Sequence, residues 1–477
     1  MKKKVLSILL AAAMAFSLTA CGNKNQPADS TPAGEPSSGE AAGGETTGDA
    51  GEFSWDKFAG QKINIMFVEH TLTTDMINEI ESFEELTGIE VNYTTIPEAN
   101  YFDKISALLS SQSDTLDIFM TGPYQIWQYA SSGYMVDFDT FLNNPSMVDP
   151  GYHVEDFYEA VLNSCRWSCN TGEAMGSGSL WGIPLNFEAD VMVYNKRLLE
   201  EKNLQVPTTT EELTKACEAL QNHSGNGTYA FACRGSLSWA TLITAYQSFY
   251  TTYGGTDFEL GADGKMVSTV NRPEGVEATE WFVDLVKKGG SSTWASTTYA
   301  EAVGDVGAGT AAICVDASGS CLSVCLENAS EEWENLAIAP IPVAKAGQDP
   351  MTQIYSWSLA MNNASKAKDA SWYFIQYITM PDTLHDMFVA ESYSNPTRQS
   401  TFESEDYQAI LAGVDGYIEA FEASVDNCTM YYTPNSHAFE VLEGWCQTIQ
   451  ELVEGKYGST QEGMDKLADT LTNIVNQ

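Results

Sequence analysis

The feature that most constrains this fold is the succession of hydrophobic periods between residues 62 and 120. Lys62 to Val68 reads as a strand. Asp75 to Thr87 has helical spacing, with Met76, Ile80 and Phe83 on one face and Gly88 placed to end it. Ile89 to Ile96 alternates through Val91, Tyr93 and Thr95, as a half-buried strand does. A helix over Tyr101–Gln112 and a strand over Asp117–Met120 complete a β-α-β-α-β series. Strands joined by helical crossovers lie parallel, so the expected class is α/β, with mostly parallel sheets flanked by helices.

The chain has 477 residues, enough for two domains with separate cores. A second strand signal is the apolar run Val191 to Tyr194, entered through Trp181-Gly182-Ile183-Pro184 and followed by a helix from Lys196 to Lys202. Thr208 or Thr209 with Glu211 or Glu212 forms a capping box, and Leu213, Cys217 and Leu220 make the buried stripe of the helix it opens. A strand at Tyr229–Cys233, a helix at Ser238–Tyr250 and a hairpin turn at Asp263-Gly264 follow.

With 65 acidic residues against 23 Lys and Arg, the formal net charge is −42. That argues against nucleic acid, whose phosphates need clustered cations. It also disfavours anionic ligands, while neutral polyhydroxyl ligands are indifferent to it. Ten cysteines are present. Setting Cys21 aside leaves an odd number, which cannot all pair internally. Cys165 and Cys169, like Cys321 and Cys325, have i, i+4 spacing, which on a helix puts both on one face. The five histidines (70, 153, 223, 385 and 437) are scattered, so no zinc motif assembles and no metal is assigned. The thiols read as small buried apolar groups, with one disulfide left open.

The N-terminus reads as an export signal over 1–21. Lys2, Lys3 and Lys4 precede the apolar run Val5 to Phe16, which is too short for a stable membrane span. Leu18-Thr19-Ala20-Cys21 resembles the bacterial lipobox. By that resemblance Cys21 is lipidated and anchors the protein at the extracellular face of the cell membrane. A tether is assigned to 22–58. Its stretch 22–52 contains no aromatic residue and no Leu, Ile, Val or Met, so it cannot bury enough surface to fold. As a flexible coil it reaches roughly 30 Å.

Catalytic signatures are missing: no nucleophile elbow, HExxH or P-loop occurs, and no cofactor is implied. Recognition of a sugar or sugar alcohol needs carboxylates to accept hydroxyl protons, Arg to donate, and aromatic faces to stack on C–H groups.

Several segments, in order, are similar to family 1 extracellular solute-binding proteins of ABC transporters. Phe83…Thr87-Gly88-Ile89-Glu90-Val91 and Asp117-Ile118-Phe119 match its first lobe. Trp181-Gly182-Ile183-Pro184, Tyr194-Asn195-Lys196 and Pro207-Thr208-Thr209-Thr210-Glu211 match its first crossing between lobes. Trp181 and Thr210 stand where the family usually has Tyr and Trp. Val270-Asn271-Arg272-Pro273-Glu274-Gly275, Ala308-Gly309-Thr310-Ala311-Ala312-Ile313, Val315-Asp316-Ala317-Ser318, Trp357-Ser358-Leu359-Ala360-Met361 and Asn395-Pro396-Thr397-Arg398 resemble the polyol-binding branch.

The resemblance implies a two-lobed periplasmic-binding-protein-like fold with a three-segment hinge. The expected lobes are 59–187 with 314–353, and 194–308 with 359–477; the crossings are 188–193, 309–313 and 354–358. It implies a monomer that captures a carbohydrate or polyol and passes it to ABC transporter permease subunits. A surface glycan-binding lipoprotein without a transporter, a binding protein for a non-sugar solute and a secreted carbohydrate-active enzyme are the alternatives.

Site candidates sit where the lobes meet. Glu188, beside Phe187, lies at the first crossing, where relatives often carry a ligand-binding acid; a hinge salt bridge is its plain alternative. Glu69 and His70 follow the first strand and are otherwise a solvated loop end. Tyr124 follows the third strand, close to Trp127, and either can be core. Arg234 matches an arginine of the polyol branch, and is otherwise part of a surface ion pair. Trp239 is placed in the helix after it. Asp316 is the acid of the Val-Asp-Ala-Ser motif, and Trp357 stands at the last crossing. Arg398 is read as structural. These cleft side chains are expected to contribute little to either core.

Overall fold

The computed structural model describes residues 52–477 apart from 242–243, 392–394 and 426. Cys21 and the export signal lie outside the described residues. The β-α-β-α-β series forms as its periods require. Strand β1 (Lys62–Val68) pairs in parallel with β2 (Glu90–Ile96) on one side and β3 (Ile118–Thr121) on the other. The first crossover is two helices, Thr71–Asn78 and Ile80–Thr87, with a break at Glu79. Gly88 closes the second at φ 68, a left-handed conformation that suits glycine. The next crossover is the helix Glu98–Ser110.

Two long strands carry the chain between lobes. Strand β4 (Ile183–Asn195) runs through 13 residues that are nearly all buried. Its first half pairs with the late strand β8 (Thr352–Met361), which itself pairs with β3. Its second half pairs with β6 (Ala311–Ala317) and β7 (Leu336–Pro340), and β6 pairs in parallel with β5 (Tyr229–Ala232). With β9 (Cys428–Thr429) beside β8, the order is β2-β1-β3-β8-β4-β6-β5 in a nine-stranded sheet. Alternation along β4 sends Met192 into one core of the second lobe and Val191 and Val193 into another.

The expected domain boundaries need three corrections. Residues 309–313 are not a crossing: they lead into β6, a strand buried on both faces beside β5, so the segment 314–353 enters the second lobe, and only its end, with β8, reaches the first. The segment after Leu359 is expected in the second lobe, yet β8 pairs with β3 there. The helix Lys368–Ile378 that follows puts Trp372, Phe374 and Ile375 into the first core. The third passage lies after Ile378, since Leu384 and Phe388 already belong to the second lobe. Residues 53–58 are not tether: Phe53 and Phe58 pack on Tyr373 at 5.2 and 4.8 Å, and Trp55 meets Tyr377 at 6.0 Å. An aromatic segment beside an apolar helix face buries area that a Gly/Ser tether cannot.

The capping box is Thr209 with Glu212, and it opens the helix Thr210–Leu220 with Leu213, Cys217 and Leu220 buried. The expected helix from Ser238 begins only at Tyr246, so Trp239 stands on a loop. The hairpin turn holds, between Phe258–Leu260 and Met266–Ser268. All nine cysteines among the described residues are free, and eight of them are buried. Cys165 and Cys169 do not share a helix, because the preceding helix ends at Asn163 and Cys169 has φ 64.

Candidate functional site

A cleft of about 950 Å³ opens between the lobes. Glu98, Phe102, Gln128 and Tyr129 line it from the first lobe. Arg234, the loop to Thr241, Tyr299 and the start of the helix Ala438–Val453 line it from the second. Its position follows from topology. In open α/β sheets the crevice lies beyond the carboxyl ends of parallel strands. Here β2 ends at Ile96 and delivers Glu98, while β5 ends at Ala232 and delivers Arg234.

Arg234 and Asp316 make a bidentate pair. Nη2 donates to Oδ1 at 2.7 Å, and Nε donates to Oδ2 at 3.0 Å. Asp316 is fully buried at the end of β6, and Arg234 is 12 % exposed. Burial disfavours the guanidinium charge, but Asp316 more than offsets that and raises its pKa. The ring of Tyr299 lies 5.6 Å from the guanidinium.

Glu188 is half-buried on β4, and loss of hydration raises its carboxyl to about 7. Arg234 opposes that shift, while Asp316 and Glu98 add to it. Glu98 is raised too, by desolvation between the lobes, with Arg234 again opposing. Two residues beyond Glu188, the buried Asp190 is raised to about 7 by burial and accepts from the Ala245 amide at 2.9 Å. The site is therefore an acidic floor with one arginine, already engaged.

Aromatic rings form a wall of the site. Phe102 stacks on Trp357 at 6.2 Å with 13° between planes. Trp239 meets Phe102 at 5.8 Å and Phe439 at 5.5 Å. Tyr355 touches Trp357 edge-on at 5.4 Å. The pairing of β8 with β4 shifts register between Trp357 and Ser358, an irregularity of the kind that re-aims side chains beside sites. Gly122 is required here, because any Cβ on it would collide with the Tyr355 phenol.

Of the residues singled out from the sequence, Arg234 and Trp239 line this cleft; Asp316 reaches it through its pair with Arg234, Trp357 through its stacking on Phe102, and Glu188 lies on β4 opposite Tyr355. His70 joins from behind, its ring 5.5 Å from Trp357. Its Nδ1 accepts from the Leu72 amide at 3.2 Å as a helix cap, and burial lowers its pKa to about 4, so it is neutral. Tyr124 is fully buried beneath the wall, where its hydroxyl accepts from Gln353 Nε2 at 2.7 Å. Two placements fail. Phe187 neighbours Glu188 on a strand and so points to the opposite side, where it packs on Tyr158 and Phe421 at 6.2 and 5.8 Å. Glu69 is an exposed strand end and does not line the cleft. Arg398 is structural: fully buried, it donates from Nε and Nη2 to the Thr379 carbonyl at 2.8 and 2.6 Å.

Sequence reasoning missed Glu98, Phe102, Tyr355, Tyr299 and Phe439. Two of them had a signal. Glu98 follows the end of a parallel strand, and Tyr355 lies two residues before Trp357, on the same strand face. Tyr299 and Phe439 come from helix starts that only tertiary packing brings here.

The family model described as bacterial extracellular solute-binding protein matches residues 79–412. An erythritol/L-threitol-binding protein of Mycolicibacterium smegmatis is 32% identical over 428 residues, covering 89% of this chain and 88% of the relative. A mannitol-binding protein of Pseudomonas aeruginosa is 23% identical over 302 residues, 62% of this chain and 64% of its own. Among solved structures, a ribitol complex of an ABC transporter solute-binding protein from Agrobacterium radiobacter superposes with TM-score 0.73 at 19% identity, over 87% of this chain and 99% of that one. The fold is thus that of two-lobed binding proteins, and the chain belongs to the family of bacterial extracellular solute-binding proteins.

Proposed function

We propose that this protein is the solute receptor of an ABC importer and captures a short sugar alcohol or a small sugar between its lobes. The observation that carries the reading is the Arg234–Asp316 pair at a cleft lined also by Phe102 and Trp239, with Glu188 and Trp357 on the paired strands β4 and β8. Hydroxyls both donate and accept, so a polyol can satisfy carboxylates and guanidinium together while its C–H edge rests on the rings. An apolar ligand would leave those groups buried and unpaired, at about 1–3 kcal/mol each. The relatives named for erythritol, threitol and mannitol support the class.

In this reading β4 and β8 are the hinge, and closure on the ligand presents the surface that permease subunits recognise. Lipidation at Cys21 holds a monomer at the outer face of the membrane. Arg234 and Trp239 contact the ligand, Glu188 and Trp357 complete the site, and the buried Asp316 holds Arg234 in place, with His70 and Tyr124 supporting the wall.

A thermal-shift screen over alditols, sugars, amino acids and peptides tests the class. A ligand at 100 times its Kd adds about 2.7 kcal/mol. Stabilisation by alditols or small sugars alone supports the reading, and stabilisation by amino acids or peptides alone refutes it. For the anchor, Cys21→Ala should abolish lipid labelling; unchanged labelling would refute it.

A further inference from the structure

We propose that Trp239 is the gate of a deeper polyol subsite. Its indole stands between the open cleft and the sheet face that carries Asn186, Glu188, Tyr355 and Trp357, swings aside to admit the ligand, and returns over it. This rests on the reading of the cleft as a polyol site.

The ladder between β4 and β8 sets Glu188 opposite Tyr355 and Asn186 opposite Trp357. Alternate residues of a strand share a face, so these four side chains project to one side of the sheet. None of them lines the open cleft, whereas Phe102 and Trp239 do. Those two rings lie against that face. Phe102 stacks on Trp357 at 6.2 Å, and Trp239 meets Tyr355 at 5.9 Å and Phe102 at 5.8 Å. A ligand entering the cleft therefore reaches the indole before it reaches Glu188.

The covered face is not finished as a core. Asn186 is 6 % exposed, and its Oδ1 has no hydrogen-bond partner. Gln125 is fully buried beside Tyr355: its Oε1 accepts from the Tyr355 hydroxyl at 3.5 Å, and its Nε2 has no partner. Glu188 is half-buried and accepts no hydrogen bond among the described residues. Buried polar groups are almost always paired. An open acceptor and an open donor around one pair of rings call for a ligand that can both donate and accept, as hydroxyls do. The ring of Trp357 offers such a ligand a surface for its C–H edge.

Trp239 is the covering ring that is free to move. Phe102 is fixed in the helix Glu98–Ser110, and Tyr355 and Trp357 are fixed in β8. Trp239 stands half-buried on a loop, against the rings of Phe102, Tyr124, Tyr355 and Phe439. Its indole N–H bonds to no described residue, so rotation parts ring contacts and breaks no hydrogen bond there.

Stopped-flow fluorescence of the full chain with erythritol, L-threitol, ribitol and mannitol tests the gate, and Trp357 remains as a reporter when Trp239 is replaced. In the wild type the observed rate should level off as alditol concentration rises, because opening becomes limiting. In Trp239→Ala it should rise linearly, with association about tenfold faster and dissociation accelerated by a larger factor. Asn186→Leu tests the subsite. Alditol affinity should fall about tenfold, while the urea midpoint without ligand stays at or above that of the wild type, because an unpaired buried acceptor is gone. A linear dependence in the wild type, a plateau that persists in Trp239→Ala, affinity indifferent to Asn186→Leu, or a midpoint that falls together with affinity would overturn the proposal. Where calorimetry shows alditol binding in the same samples, those results leave the proposed function standing. Silence from all four alditols would overturn the gate as well. Stabilisation by small sugars in the thermal-shift screen would then still support the proposed function, whereas no response to any of them would remove both.

Discussion

Arg234 Nη2 lies 2.7 Å from Asp316 Oδ1, and the carboxylate it meets is fully buried. The expectation that cleft residues matter little to the cores fails for this pair. Removing one partner of a buried pair leaves the other charge stranded, at about 3–5 kcal/mol. Arg234→Ala is therefore predicted to destabilise the unliganded protein by that amount, besides weakening ligand binding. Urea unfolding without ligand checks it. A loss below about 1 kcal/mol would show that the pair behaves like an exposed one.

Glu188 and Asp190 set a pH dependence. In the folded protein both hold a proton up to about pH 7, whereas their ordinary values are 4.5 and 3.8. The native state thus binds more protons than the unfolded state in that window, and stability falls as pH rises. Their contribution is complete below about pH 4 and lost as pH passes 7. Glu188→Gln should remove its share of the slope and raise stability at pH 8 by on the order of 1–3 kcal/mol. Denaturant midpoints from pH 4 to 8 for both proteins are the readout. Parallel profiles would place Glu188 in water.

Trp239 and Trp357 separate binding from folding. Trp239 is half-buried on a loop, whereas Trp357 is 5 % exposed on β8. Trp357→Ala should cost about 3–5 kcal/mol of stability, as large-to-small core changes do. Trp239→Ala should leave unfolding close to wild type and weaken ligand binding by roughly 1.5–3 kcal/mol, the worth of burying one large apolar side chain. Equal destabilisation of the two variants would contradict their placement.

These outcomes bear on what the sequence could show. The parallel half-sheet was legible because its periods switch cleanly from two to 3.6, and the Thr209–Glu212 box because its spacing is a mechanism. Arg234 and Asp316 were legible through their likeness to the arginine and to the Val-Asp-Ala-Ser acid of the polyol branch. The lobe that owns Ala311–Ala317, or the helix Lys368–Ile378, was not. A buried apolar strand announces its burial but not its neighbours, and β6 could have lain beside β3 as well as beside β5. Phe187 packs away from Glu188, as the alternation of a strand requires of adjacent residues. Phe439 was beyond reach, because it arrives from a helix far along the chain.

Motion offers a further test. The lobes are joined through β4, β8 and the chain after Ile378, so ligand should draw them together about those strands. Small-angle scattering should give a smaller radius of gyration at saturating ligand than without it. An unchanged radius, with binding shown in the same sample, would mean a rigid platform.

The most direct test of the central claim is titration calorimetry of the wild type and Trp239→Ala against erythritol, L-threitol, ribitol and mannitol, with a peptide mixture as control. At least one alditol should bind at one site per chain, Trp239→Ala should weaken it by roughly 1.5–3 kcal/mol, and peptides should give no heat. Peptide binding with no response to any alditol, or alditol binding indifferent to Trp239, would contradict it.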